Sequence, residues 1–233
     1  MTDRKTVGVL GGMGPDATVD FMAKVIALTP AGRDQDHIHM LVDHNPLVPN
    51  RQAHILGAGE DPGPALAAMA RRLEQAGADF LVMPCNTAQA YEQDIASAAS
   101  IPLISIIDET IAAIGVAAPQ AKAVCILATV GCLQAEMYQR AMTAADLLPV
   151  LPDSEELKKL MTLVNGVKAG AIGDRVKQSM RELADALVAR GAEAIIAGCT
   201  EIPLVLDESM LDVPLISSTD VLAQRTVQLA KPE

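Results

Sequence analysis

Aromatic side chains are almost absent from this sequence. Its 233 residues include two Phe, two Tyr and no Trp, although half of all residues are hydrophobic. The core must therefore be built from Ala, Val, Ile, Leu and Met. A protein with so few aromatic rings lacks the stacking platform with which single-stranded nucleic acids are bound. The high apolar content excludes an intrinsically disordered chain.

Positive charge is also scarce. The chain has 18 Lys and Arg against 29 Asp and Glu, which gives a formal net charge of −11. This balance repels phosphate groups, so nucleic acids and anionic membrane surfaces are excluded as partners. No apolar run approaches the length that spans a bilayer, and the first residues lack the apolar stretch of a signal peptide. We therefore expect a cytoplasmic protein.

The four cysteines, Cys85, Cys125, Cys132 and Cys199, form no CxxC pair. A reducing compartment would keep them as thiols. Cys125 lies inside the apolar run 123–128 and is typical of a small core residue. Cys85 and Cys199 differ, because each follows a short apolar run and precedes a polar segment.

Short apolar runs alternate with helix-length segments along the chain. We predict strands over 7–10, 38–43, 80–83, 103–104 and 124–127, and helices over 16–28, 62–76, 88–99 and 106–116. Strands of this length separated by helices indicate a parallel sheet with helical crossovers, and so an α/β fold.

The second half of the chain repeats the pattern of the first. Cys85 and Cys199 are 114 residues apart, the prolines before two later strands are 112 apart, and the first strands are 117 apart. Three ordered matches predict an internal duplication, and hence two similar parallel-sheet lobes. We place the first α/β lobe at 1–116 and 214–233, and the second at 117–213.

If the two halves share a fold, Cys85 and Cys199 occupy equivalent positions at the carboxyl ends of buried strands, where open parallel sheets bind ligands. We expect the two thiols to face each other across a cleft between the lobes, each beside a helix N-terminus that favours the thiolate. Two acid–base groups on opposite sides of a carbon can remove a proton from one face and deliver one to the other.

Other uses of two thiols fit less well. A disulfide would occupy the cleft, and two cysteines alone rarely satisfy zinc. His37 and His39, with Asp36 and His44 nearby, are predicted on one face of the second strand and favour a polar strand edge over a metal site. We predict no metal site.

The glycine loop at 11–15 also fits the dinucleotide pattern G-x-G-x-x-A. Pro15 interrupts this pattern, and the second strand ends at Asp43, later than the usual acidic position. We therefore interpret the loop as one that brings backbone N–H groups close to a substrate carboxylate.

Six motifs stand in an order that resembles one family. They are Gly-Gly-Met-Gly-Pro at 11–15, Asn45-Pro46 with Arg51, Pro-Cys-Asn-Thr-Ala at 84–88, Leu-Ala-Thr at 127–129, Gly-Val-Lys-Ala-Gly at 166–170 and Gly-Cys-Thr-Glu-Ile-Pro-Leu at 198–204. The chain resembles the aspartate racemases of the pyridoxal-phosphate-independent aspartate/glutamate/hydantoin racemase superfamily over essentially its whole length.

The resemblance implies two similar lobes that enclose the substrate, no cofactor, a homodimer and catalysis by Cys85 and Cys199. It implies that Arg51 and Lys168 hold substrate carboxylates. The full substrate-binding set that we predict is Gly12, Met13, Gly14, Arg51, Asn86, Thr87, Thr129, Cys132, Lys168, Thr200 and Glu201.

The residues themselves leave alternatives open for these partners. Arg51 suits a carboxylate but also a solvated loop, and Lys168 between two glycines suits a surface turn. The hydroxyl and amide side chains at the strand ends fit ligand contacts and helix N-caps alike. Cys132 fits either a polar contact in the cleft or a small loop residue.

The sequence departs from the family pattern at Gln89, where His commonly follows Pro-Cys-Asn-Thr-Ala. A neutral amide cannot act as a charge partner for Cys85. The prediction is racemisation of a small acidic amino acid, aspartate first. The alternatives are glutamate or broader amino-acid racemisation, a related isomerase or decarboxylase, and a binding protein for an anionic metabolite.

Overall fold

The computed structural model describes residues 4–231. Its contacts divide the chain into two compact units, one formed by the described residues up to Glu109 together with those from Thr219 onward, and the other by Thr110–Ser218. The lobe boundaries predicted at 116/117 and 213/214 stay predictions. No helix within residues 4–231 is long and apolar enough to cross a membrane.

The first unit is built on a four-stranded sheet in which every pair of neighbouring strands is parallel, in the order β2-β1-β3-β4. Its strands are β1 (Val7–Gly11), β2 (Met40–His44), β3 (Phe80–Val82) and β4 (Leu103–Ile104). The helices among and after them are α1 (Pro15–Leu28), α2 (Arg51–Ile55), α3 (Gly63–Gln75), α4 (Glu92–Ala96) and α5 (Ile106–Ala117), with 3-10 helices at Asp34–Asp36 and Thr87–Tyr91.

The second unit has a second parallel sheet in the order β6-β5-β7-β8. Its strands are β5 (Ala123–Leu127), β6 (Leu148–Val150), β7 (Ala194–Ala197) and β8 (Leu215–Ser217). The helices that follow in sequence are α6 (Val130–Gln134), α7 (Met137–Ala144), α8 (Ser154–Lys168), α9 (Asp174–Ala189) and α10 (Ser218–Ala230), with 3-10 helices at Ile202–Leu204 and Glu208–Met210. From Thr219 onward α10 belongs to the first unit, and from Thr110 onward α5 belongs to the second.

The two sheets have the same strand order, which supports the internal duplication predicted from the sequence. In each sheet the first strand in sequence lies at a central position, between the second and the third. The central strands β1, β3, β5 and β7 are almost completely buried, and all their residues are aliphatic or Gly except Phe80 and Cys125. A strand covered on both faces by helices needs apolar residues at every position, which explains the continuous apolar runs. The prediction of an α/β fold with two parallel-sheet lobes is confirmed.

Each unit buries an aliphatic core of its own. In the second unit, Leu160 and Val164 of α8 pack with Met180, Leu183 and Leu187 of α9 against the strands. In the first, the corresponding cluster includes Leu66, Met69 and Leu73 of α3 together with Leu10, Leu81 and Met83. The scarcity of aromatic residues thus leaves packing to branched aliphatic side chains and methionine.

Two predicted elements differ from the structure. β2 begins at Met40, so His37 and His39 precede the strand instead of sharing one of its faces. The helix predicted over 88–99 is a 3-10 helix followed by the short α4, which ends at Ala96. The chain turns there because it must enter β4, and the following Pro102 cannot continue a helix.

Candidate active site

Cys85 and Cys199 lie just beyond matching strands of the two sheets. Cys85 follows β3 by three residues, and Cys199 follows β7 by two. Both thiols are buried and neither forms a disulfide. The duplication therefore places one thiol in each unit at the carboxyl end of the third strand. That the two thiols face each other stays a prediction.

Cys199 has a carboxylate as its partner. Its Sγ donates a hydrogen bond to Oε2 of Glu201 at 2.9 Å, and the hydroxyl of Thr200 donates to the same oxygen at 3.2 Å. Nζ of Lys168 lies 3.7 Å from Oε1 of Glu201. Glu201 therefore joins the predicted base to the predicted cation.

Burial raises the pKa of the Cys199 thiol, and the neighbouring Glu201 carboxylate raises it further. Lys168 opposes this effect, because its positive charge favours the thiolate. The expectation that a helix N-terminus lowers this pKa is wrong. The segment after Cys199 forms only a three-residue 3-10 helix, and desolvation together with a carboxylate dominates.

Lys168 is the last residue of α8, which continues through Gly166. The chain leaves the helix at Ala169 and reverses at Gly170, whose φ is +88°. Because Lys168 stands at a helix C-terminus and is half exposed, its ammonium group can reach Glu201 or a ligand from solvent. Its predicted contact with a substrate carboxylate stays a prediction.

The glycine loop after β1 is held by its own helix. The backbone N–H of Gly12 donates to Oγ1 of Thr18 at 2.8 Å, and this hydroxyl donates to the carbonyl of Gly14 at 3.1 Å. The N–H of Gly12 therefore serves the loop itself, and contact of Gly12, Met13 and Gly14 with a substrate stays a prediction.

Arg51 begins α2 and turns its guanidinium back on the preceding loop. Nη1 donates to the carbonyls of Val48 and Pro49, both at 3.0 Å. Nε is buried and has no hydrogen-bond partner among residues 4–231. Arginine can bind a carboxylate through two parallel hydrogen bonds either from the edge that carries Nε or from its two Nη groups. With Nη1 held by the two carbonyls, the Nε edge is the one that stays unused by the described residues.

Two residues that the sequence analysis did not single out support Arg51. The hydroxyl of Tyr91 donates to the carbonyl of Arg51 at 3.3 Å and lies 2.8 Å from Nδ1 of His54. Both partners are distant from Tyr91 along the chain, so spacing gives no signal for them.

Thr129 is the N-cap of α6 and accepts a hydrogen bond from the backbone N–H of Cys132 at 3.3 Å. The side chain of Cys132 is buried. The N-cap alternative is thus confirmed for Thr129. Asn86 lies directly before the 3-10 helix that begins at Thr87, and its side chain does not cap this helix.

Gln89 is buried in the same 3-10 helix, with 3 % of its surface exposed. Its Nε2 donates to Oε2 of Glu92 at 2.9 Å, while its Oε1 has no hydrogen-bond partner in the described part of the chain. The segment after Cys85 thus holds a buried amide oxygen without a hydrogen-bond partner in the described part of the chain. Residues 4–231 contain no group of three His, Cys, Asp or Glu side chains able to hold a metal ion.

Known proteins resemble this chain in sequence and in structure. The sequence profile of the Asp/Glu/hydantoin racemase family matches residues 10–226. The broad specificity amino-acid racemase RacX of Bacillus subtilis (strain 168) is 30% identical over 227 residues, which cover 95% of this chain and 96% of that protein.

Among solved structures, the aspartate racemase of Picrophilus torridus has a TM-score of 0.82 at 28% identity, covering 97% of this chain and 94% of that one. A glutamate racemase of Francisella tularensis in complex with D-glutamate shares the fold, with a TM-score of 0.68, 18% identity, and coverage of 97% and 81%. The family profile begins within β1 and includes every later strand and both cysteine segments. This chain belongs to the Asp/Glu/hydantoin racemase family and is an amino-acid racemase.

Proposed function

We propose that this racemase interconverts the enantiomers of a small acidic amino acid, aspartate first, with Cys85 and Cys199 as its two bases and without a cofactor. The observation that carries the proposal is the matching position of the two thiols. Each follows the third strand of a four-stranded sheet, and the two sheets have the same strand order. A duplicated fold with one acid–base group in each copy suits a reaction that needs one such group on each face of a carbon.

The proton transfers balance without any other reactant. The thiolate of Cys85 removes the α-proton of one enantiomer, and the electron pair of the broken C–H bond delocalises into the α-carboxylate. The thiol of Cys199 then delivers its proton to the opposite face. The products are the other enantiomer, a Cys85 thiol and a Cys199 thiolate, and the reverse reaction exchanges these roles.

Glu201 is suited to manage the proton of Cys199. Its Oε2, 2.9 Å from Sγ, holds Cys199 in the thiol form that donates a proton. When Cys199 must act as the base, the same oxygen can accept the thiol proton. Lys168, 3.7 Å from the other carboxylate oxygen, reduces the cost of a negative charge at either group.

A guanidinium with an unused edge supports an acidic substrate. Two carbonyls fix Nη1 of Arg51, and its buried Nε has no partner among residues 4–231. This arrangement orients the guanidinium before a ligand arrives, which reduces the entropy lost on binding. A substrate carboxylate at this edge would also place fixed positive charge near the carbanion.

Broad amino-acid racemisation is the second candidate. It is favoured by the Bacillus subtilis relative, which is named a broad specificity amino-acid racemase. Both candidates use the same thiols, and they differ in whether a second substrate carboxylate is required. Comparing aspartate, glutamate, asparagine and alanine as substrates separates them.

The test is isotope exchange in deuterium oxide. Each enantiomer is incubated with the protein, and the α-proton signal is followed together with the optical rotation. We expect deuterium incorporation with racemisation, fastest for aspartate. Binding without exchange would contradict the proposal and favour the metabolite-binding alternative, whereas loss of carbon dioxide would favour a decarboxylase.

Cysteine variants test the two bases. We expect Cys85→Ser and Cys199→Ser each to reduce racemisation by at least about a hundredfold, because each removes one proton-transfer group. Cys125→Ala is the matched control, since this thiol lies in β5 and its pKa is raised by burial. Wild-type turnover in both serine variants would refute the two-base mechanism.

Arg51→Met tests the carboxylate contact. We expect KM for aspartate to rise at least about tenfold, because a charge-assisted hydrogen bond contributes about 1.5–3 kcal/mol. Arg140→Met is the control, since Arg140 is exposed on α7. An unchanged KM in Arg51→Met would exclude Arg51 from substrate binding.

We also propose a cytoplasmic homodimer. The four described cysteines are free thiols, and a reducing compartment such as the cytoplasm keeps thiols in this form. Val19 and Ile26 are 61% and 48% exposed and lie two turns apart on one face of α1, an apolar face that a second copy could cover. Light scattering after size exclusion would show about twice the mass of the 24.4 kDa chain, and a monomer would contradict the proposal.

A further inference from the structure

Tyr138 breaks the symmetry between the two repeats. It lies 117 residues after Phe21, the same offset that separates the first strands of the two halves. Both rings are fully buried, Phe21 in α1 and Tyr138 in α7. At the matching sequence offset, the second unit therefore has a ring with a hydroxyl group and the first has a ring without one.

A buried hydroxyl group is costly unless it is hydrogen-bonded. The Tyr138 hydroxyl has two partners, Thr110 and Ser218. The hydroxyl of Ser218 donates its single proton to the carbonyl of Ala197 at 2.9 Å, so Ser218 accepts from Tyr138. The hydrogen bonds thus lead from Tyr138 through Ser218 to the last residue of β7.

The ring of Tyr138 contacts the same segment from another side. A Cβ atom on Gly198 would lie 3.1 Å from Cε2 of Tyr138 and 3.1 Å from Cβ of Ala128. The N–H of Gly198 donates to the carbonyl of Leu127 at 2.8 Å. Gly198 is consequently fixed by the ring, by the neighbouring strand and by its own hydrogen bond, and Cys199 is the next residue.

We propose that Tyr138 is a positioning residue for Cys199. The ring and the hydroxyl group of Tyr138 together fix the Ala197–Gly198 segment so that Sγ of Cys199 meets Glu201. The inference rests on the proposed role of Cys199 as a base. It also implies that the two thiols are supported differently, because Phe21 can provide no hydroxyl group in the first unit.

The electrostatics agree with this role. Burial raises the pKa of Tyr138, and negative charge on Cys132 or Cys199 raises it further. The hydroxyl therefore keeps its proton while Cys199 changes its protonation state, and it continues to donate to Ser218 throughout the reaction.

The experiment compares Tyr138→Phe with Thr226→Val. Each removes one buried hydroxyl group, but that of Thr226 bonds only within α10, to the carbonyl of Leu222 at 2.7 Å. Racemisation of aspartate is measured for both. We expect Tyr138→Phe to lose about tenfold to a hundredfold in kcat/KM, because a catalytic group displaced by about 1 Å can cost that much. Thr226→Val should stay within twofold of the wild type.

Alkylation distinguishes positioning from general loss of structure. Iodoacetamide labelling of Cys199 is measured in a Cys85→Ser background, and that of Cys85 in a Cys199→Ser background. We expect Tyr138→Phe to accelerate the labelling of Cys199 severalfold and to leave that of Cys85 unchanged. An equal effect on both thiols would indicate a merely structural role and would overturn the inference.

Ser218→Ala breaks the hydrogen bonds from Tyr138 through Ser218 to Ala197 and leaves the Tyr138 ring in place. This variant replaces Tyr138→Phe in the test if Tyr138→Phe does not fold. It should shift Cys199 labelling in the same direction. If Cys199→Ser is inactive but Tyr138→Phe and Ser218→Ala match the wild type in turnover and labelling, the inference fails and the proposed function stands. Wild-type turnover in Cys199→Ser overturns the proposed function, and the inference with it.

Discussion

Gly12 offers a direct test of how the first unit places its substrate loop. It lies directly after β1 with a φ of +92°, and a Cβ atom there would lie 2.4 Å from the backbone carbon and 2.6 Å from the carbonyl oxygen of Asn45. Asn45 begins the loop that leads to Arg51. Gly12→Ala therefore perturbs the path of that loop without removing a polar group.

Gly77 provides the matched control. Its φ is +97°, and nothing lies within 4 Å of the Cβ position. Gly77→Ala thus carries only the backbone strain of a positive φ, about 1–3 kcal/mol. In Gly12→Ala the Asn45 backbone must in addition move by about 1 Å to restore ordinary contact distance, and such overpacking adds about 1–3 kcal/mol.

Urea unfolding and kcat/KM for aspartate measure the two contributions. We expect Gly12→Ala to be destabilised by about 1–3 kcal/mol more than Gly77→Ala. Since the displaced loop leads directly into Arg51 at the start of α2, kcat/KM should fall by up to about a hundredfold in Gly12→Ala alone. Equal stability losses, or equal kcat/KM in the two variants, would refute the idea that the approach to Asn45 requires glycine.

Three further predictions concern the second unit. Glu201→Gln should lower the pKa of Cys199, because it removes the carboxylate that raises this pKa. In a Cys85→Ser background, the pH profile of Cys199 alkylation should therefore move to lower pH. A move to higher pH would contradict the electrostatic cause. Asp153 caps α8, and the hydrogen bonds that it accepts from backbone N–H groups lower its pKa. The cap therefore stabilises the folded protein at neutral pH, and this stabilisation is lost as pH falls through that pKa. Asp153→Ala should unfold at a lower temperature than the wild type at pH 7, and the two unfolding temperatures should converge in acid. Leu187→Ala should reduce the free energy of unfolding by about 2–5 kcal/mol, as measured by urea unfolding, since the side chain is fully buried; a loss below about 1 kcal/mol would show that the core collapses around it.

The periodic parts of the fold were predictable. A continuously apolar run such as 124–127 is typical of a strand in a parallel sheet buried on both faces, and the repeated offsets between the halves predicted two similar sheets. Helix ends were less predictable. The α-helix expected after Cys85 is a 3-10 helix and the short α4, because the chain must turn within a few residues to reach β4.

Composition and spacing by themselves determined the α/β class, the duplication and the pair of cysteines at equivalent strand ends, since each of these is written in local periodicity. The tertiary structure decided the chemistry around Cys199. Its partner Glu201 is two residues away, but the Lys168 that balances this carboxylate comes from the end of another helix. The sequence alone favoured a lowered thiol pKa, whereas burial beside a carboxylate raises it. The reason is physical: a pKa and a hydrogen-bond partner depend on desolvation and on distances between segments far apart in the chain, and these exist only once the chain has folded.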